Sequence, residues 1–141
     1  MRLKFSILIA IIILLCGCGR KVLPVPPGQE PPPTVNDLNS SIDGDLLRLT
    51  WTLPEANKRI MSNLDGFVVY RSKKMLSESD CKKCPVLFKR IADIPMEEKD
   101  VNKKTTYKET LAKGYRYIYK VTVYTKTGAS GKDSNYIEFV Y

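Results

Sequence analysis

The chain of 141 residues contains no histidine. That removes the side chain most used as a general base near neutral pH and the commonest metal ligand. Cysteine is scarce, with four, and tryptophan occurs once. Acidic residues are the minority charge, 15 against 23 basic ones, for a net charge of +8. Such a balance permits contact with anionic lipid, nucleic acid or acidic polymers without choosing among them. There is no Gly-rich phosphate loop and no constellation of nucleophile and base, so the sequence points to no enzyme, no cofactor, no metal and no small-molecule substrate. Sustained helical periodicity and internal repeats are also missing after the first residues.

What is present starts with a leader. Arg2 and Lys4 precede a nearly unbroken apolar run over residues 5–15. The run is shorter than the ~20 residues a permanent membrane span needs, and its charged start and small-residue end match a signal peptide over residues 1–17. The ending Leu15-Cys16-Gly17-Cys18 resembles the lipobox of bacterial lipoproteins. The resemblance implies that Cys18 is diacylated through sulfur, that the leader is cut before it, and that the new amine is acylated. The thiolate is the nucleophile such chemistry needs, and several acyl chains at one site anchor firmly. Cys16 is a rival acylation site that would place bulky Leu15 beside the cut. An uncleaved signal anchor or a plain secretory leader would also begin with this pattern of charge and apolar residues. By resemblance to enterobacterial sorting, Gly19 rather than Asp after the cysteine implies the outer membrane, on its periplasmic face.

Residues 18–33 form a tether carrying Pro24, Pro26, Pro27, Pro31, Pro32 and Pro33. Missing amides and a fixed φ exclude a central strand or a helix. A polyproline II spacer rising ~3.1 Å per residue is expected; a ligand for an aromatic groove is the competing reading. Its start, Cys18-Gly19-Arg20-Lys21, also resembles small lipoproteins whose mature ends read Cys-Gly-x-Lys-Gly-Pro, one family of which associates with lipopolysaccharide transport machinery. Here Val22-Leu23-Pro24 stands in place of Gly-Pro. That likeness implies a second possible role, an envelope-assembly accessory acting through its N-terminus.

Residues 34–141 read as a domain of about seven short strands. Expected strands cover residues 35–38, 46–51, 67–71, 85–94, 105–110, 115–124 and 135–141. Leu47, Leu49 and Trp51 alternate with polar neighbours, and Tyr115, Tyr117, Tyr119, Val121 and Val123 share one face. Residues 58–64 have room for one helical turn. This is the profile of an all-β, immunoglobulin-like sandwich. Leu49-Thr50-Trp51 followed by Pro54, then Leu111-Ala112-Lys113-Gly114-Tyr115-Arg116-Tyr117, then Gly128-Ala129-Ser130, resemble a fibronectin type III domain. The family pattern is Leu-x-Pro-Gly-x-x-Tyr, with Lys113 in place of its proline. The resemblance implies a tyrosine corner at Tyr117, Leu111 packed beneath it, and Trp51 at the centre of the core.

Cys81-Lys82-Lys83-Cys84-Pro85 lies between the third and fourth strands. In an oxidising envelope a structural disulfide between Cys81 and Cys84 is favoured; its tiny loop limits it to ~2 kcal/mol or less. A redox-active pair, a half-set of metal ligands and an inert reduced pair compete with it. The expected protein is a non-enzymatic lipoprotein held to a membrane by Cys18. It binds or scaffolds an envelope protein and does not bind nucleic acid.

Overall fold

A computed structural model of the chain describes residues 30–77, 85–96 and 103–141. The leader, Cys18, most of the tether, and Cys81 and Cys84 lie outside the described residues. Seven strands and one short helix follow in order: β1 Asn39–Asp43, β2 Leu46–Thr52, α1 Lys58–Asn63, β3 Leu64–Met75, β4 Lys89–Pro95, β5 Lys104–Thr110, β6 Tyr115–Thr125 and β7 Ile137–Val140. They form two antiparallel sheets, ordered β1-β2-β5 and β4-β3-β6-β7.

Alternation decides what faces inward. Leu47, Leu49 and Trp51 from β2 meet Phe67 and Val69 from β3 and Tyr117, Tyr119, Val121 and Val123 from β6, all buried in one core. Side chains two apart on a strand share a face, so these rows fill the space between the sheets. Trp51 lies edge-on to Phe67, with ring centroids 5.5 Å apart. Tyr117, Tyr119 and Phe139 stack with centroids 5.6–6.1 Å apart. The β1–β2 hairpin turns at Gly44, whose φ of 59° favours glycine. Gly66 answers a different need: a Cβ there would come 2.3 Å from the Ile94 carbonyl oxygen and 3.0 Å from the Tyr124 ring.

The structure moves three expected strands. Residues 35–38 are not a strand, although Val35 and Leu38 are buried in the core. Their backbone is satisfied by a side chain instead: the Leu38 N–H donates to Asn135 Oδ1 (3.0 Å) and Asn135 Nδ2 donates to the Leu38 carbonyl (2.8 Å). The strand falls on Asn39–Asp43, a polar segment with an exposed pattern. β4 begins only at Lys89, and residues 85–88 make no pairing with β3. β7 begins at Ile137, since Ser134 and Asn135 spend side-chain groups on Val121 and Leu38. The turn expected over residues 58–64 is α1, capped by Asn57, whose Oδ1 accepts from the Ile60 N–H. Pro32 is already buried, its Cβ close to Gly131, and Asn57 Nδ2 donates to Glu30 (2.8 Å). The chain therefore enters the sandwich at the end that carries α1 and the β6–β7 connection.

Candidate functional site

The sequence-derived core positions lie between the sheets. Trp51 is fully buried and its indole nitrogen has no hydrogen-bond partner among the described residues. The Tyr117 hydroxyl donates to the Ala112 carbonyl and accepts from the Ala112 N–H, each at 2.9 Å. Leu111 is buried, with its N–H on the Asp45 carbonyl. These residues pin the crossover between β5 and β6 and are closed to a partner.

A polar cluster ties the sheets at one seam. Glu109 on β5 accepts from Arg71 of β3 (2.9 Å), from the Tyr107 hydroxyl (3.1 Å) and from the Tyr119 hydroxyl of β6. Burial, then the Glu109 charge, pushes the Tyr107 phenol up to about 12. Burial and the bond to Glu109 push Tyr119 up further. Burial works against the Arg71 charge, but Glu109 outweighs it and raises the Arg71 pKa. Three donors occupy most of the roughly four acceptor sites of this carboxylate, so the cluster ties β5 to β3 and β6 across the sheets.

The outer face of β4-β3-β6-β7 has a different character. Val68 pairs with Thr122 and Tyr70 with Lys120. Val68 and Thr122 are buried although they point away from the core. Phe88, the residue before β4, reaches across this face to Lys120 and Tyr136. Lys120 Nζ sits 4.4 Å from the Phe88 ring centroid and 5.3 Å from that of Tyr70. Phe88 and Tyr136 stack with centroids 5.8 Å apart. Asp133 Oδ2 takes both Lys120 Nζ and the Tyr136 hydroxyl at 2.9 Å, and the latter bond raises the Tyr136 pKa. Beside this network Val86 is 50% exposed, Leu87 79% and Tyr136 55%. Apolar side chains and an amphipathic ring on a fixed base are the anchors a protein interface uses.

Sequence reasoning singled out none of Tyr70, Phe88, Lys120 or Tyr136 as a binding residue. The available signal was the second phase of the β3 and β6 alternation, where Val68, Tyr70 and Lys120 stand opposite the core rows. Among the described residues no group of three or more Cys, Asp or Glu is placed to hold a metal ion. No helix among them is long and apolar enough to cross a membrane.

No family model and no curated protein matches the chain. Solved structures do. The fold is similar to the third fibronectin III domain of the human KIAA0343 protein, at 19% identity and a TM-score of 0.55, covering 86% of this chain and 92% of that one. It is also similar to part of the twitchin kinase region of C. elegans, at 16% identity and a TM-score of 0.51, covering 79% of this chain and 17% of that one. The domain is a fibronectin type III-like sandwich. In it the resemblance of Leu49-Thr50-Trp51 and of the Leu111–Tyr117 interval acquires its geometry: one lies on the second strand and the other on the crossover into the sixth.

Proposed function

We propose that this chain is a lipid-anchored protein of a bacterial envelope whose fibronectin type III-like domain binds a protein partner and performs no chemistry of its own. The anchor reading rests on Leu15-Cys16-Gly17-Cys18 after a charged, apolar leader; the periplasmic face of an outer membrane follows from Gly19. The observation that carries the binding reading is the exposed set Val86, Leu87 and Tyr136 beside the Phe88–Tyr136 stack. The neighbouring charges are already paired, so docking there does not strand an ion.

The test is crosslinked capture from envelopes with the full chain. Leu87→Asp combined with Val86→Asp, both exposed side chains, should abolish a crosslinked partner that the unaltered chain captures, with little change in thermal unfolding. Retention of the same partner would remove this face from the account. In parallel, Cys18→Ser should release the chain from membranes and remove the acyl mass; an acylated, membrane-bound Cys18→Ser chain would end the anchor reading.

A further inference from the structure

The opposite outer face, on β1-β2-β5, has no aromatic side chain and no paired cation among the described residues. The strand registers place Ser41, Arg48 and Lys108 in one row, Asn39, Thr50 and Thr106 in the next, and Thr52 beside Lys104. Arg48, Lys104, Thr106, Lys108 and Thr110 are exposed. Arg48 and Lys108 are directly opposite each other, an arrangement of like charges that destabilises a sheet. Among the described residues neither they nor Lys104 has a carboxylate within salt-bridge distance. The nearest acid by register is Asp43, beside Leu46 and one row from Arg48 on its diagonal, with no ion pair between them. Asp37, at the near corner, is held by the Thr52 N–H (3.0 Å) and hydroxyl (2.5 Å).

We infer that this face docks on the phosphates of an anionic phospholipid membrane. Across a directly opposed pair the Cβ atoms of Arg48 and Lys108 stand about 5 Å apart, close enough for one phosphate to neutralise both. Lys104 lies four residues along β5, about 13 Å away, where it meets a second phosphate. Hydroxyls of Thr50 and Thr106, and of Thr52 beside Lys104, occupy the rows between with short side chains. A level array of separate phosphates is what a bilayer presents, and the absence of exposed rings here disfavours bases or sugars that would stack. The supply of phosphate rests on the anchored-lipoprotein reading. The length of chain agrees with it: residue 30 joins the sandwich at the end where Thr52 and Lys104 lie, and the twelve residues 18–29 can reach no more than about 43 Å from there. The domain can therefore lie on its side against the membrane that holds Cys18. Each cation near an anionic bilayer strengthens partition roughly fivefold, and three together on the order of a hundredfold, at low salt.

The experiment reconstitutes the full chain in vesicles of phosphatidylcholine alone or mixed with phosphatidylglycerol. A water-soluble acylating reagent then reports the exposure of each lysine by mass spectrometry. Lys104 and Lys108 should be modified at least fivefold more slowly on phosphatidylglycerol vesicles, while exposed Lys89 on β4 is unchanged. The protection should vanish at high salt and in Arg48→Glu, whose fold is checked by circular dichroism. Equal modification of Lys104, Lys108 and Lys89 on both vesicles overturns the inference, as does protection by a soluble acidic polysaccharide but not by phosphatidylglycerol. Failure of the anchor reading shows separately, as a chain that phosphatidylcholine vesicles do not retain; flotation with phosphatidylglycerol vesicles then tests the face by itself.

Discussion

The two outer faces of the sandwich handle charge in opposite ways. On the four-stranded sheet Arg90 meets Asp93, Arg116 meets Glu138, and Lys120 meets Asp133. On the three-stranded sheet Arg48, Lys104 and Lys108 meet no acid among the described residues. Burial accounts for the Lys120–Asp133 pair, while Arg90–Asp93 and Arg116–Glu138 are exposed pairs between neighbouring side chains. Phe88 and Tyr136 cover the first face, Lys120 is only 16% exposed there, and a cation held in that setting needs a partner. The second face stays in bulk water, where two like charges repel weakly. One face thus behaves as a small second packing layer, and the other as a bare charged plane.

Substitutions that fill space separate the faces most sharply. Gly66→Ala drives a Cβ into the Ile94 carbonyl and the Tyr124 ring, so β3 and β4 must part. A loss of ~2–3 kcal/mol is expected in urea unfolding. Thr50→Ala, in the middle of the bare face, should stay within about 0.5 kcal/mol. Similar losses for the two variants would dissolve the distinction. A smaller contrast follows from charge. Lys120→Ala removes an ammonium lying over two rings and bonded to Asp133, which should lower stability by about 1–2 kcal/mol. Lys104→Ala should leave it unchanged within about 0.5 kcal/mol, by the same measurement.

The inner faces were legible in the sequence because a strand has a period of two and the core rows obey it: Leu47, Leu49 and Trp51, and Tyr117 to Val123, are where alternation puts them. The polar β1 was not legible. It is a strand because β2 offers it an edge, not because its side chains are buried, and Val35 and Leu38 drew the expectation onto the neighbouring residues. The start of β7 was displaced for a related reason, since Asn135 uses its carboxamide as a substitute for backbone pairing. The aromatic face escaped detection because it is assembled across distance. Phe88 comes from just before β4, Tyr136 from the approach to β7, and Lys120 from the middle of β6; no spacing along the chain links them. The register shift between Val69 and Tyr70 further hides which β4 residues share that face. The stretch Leu15-Cys16-Gly17-Cys18, by contrast, is contiguous, which is why an anchor at Cys18 could be proposed from four residues.

The smallest effect bears on why the bare face keeps its opposed cations. If Arg48 and Lys108 repel across β2 and β5, Lys108→Glu turns that repulsion into attraction and should stabilise the fold by about 0.5 kcal/mol. The gain should fade at high salt, because both side chains are exposed. Adding Arg48→Glu restores a like-charge pair of the other sign and should cancel the gain, which isolates the pairwise contribution from any change in strand propensity. A stabilised Lys108→Glu chain that has lost its affinity for anionic vesicles would show that the sheet is held below its own optimum for the sake of the face. No stabilisation in urea unfolding at low salt would mean that water already screens the pair, and that the opposition of Arg48 and Lys108 carries no cost needing a ligand to explain it.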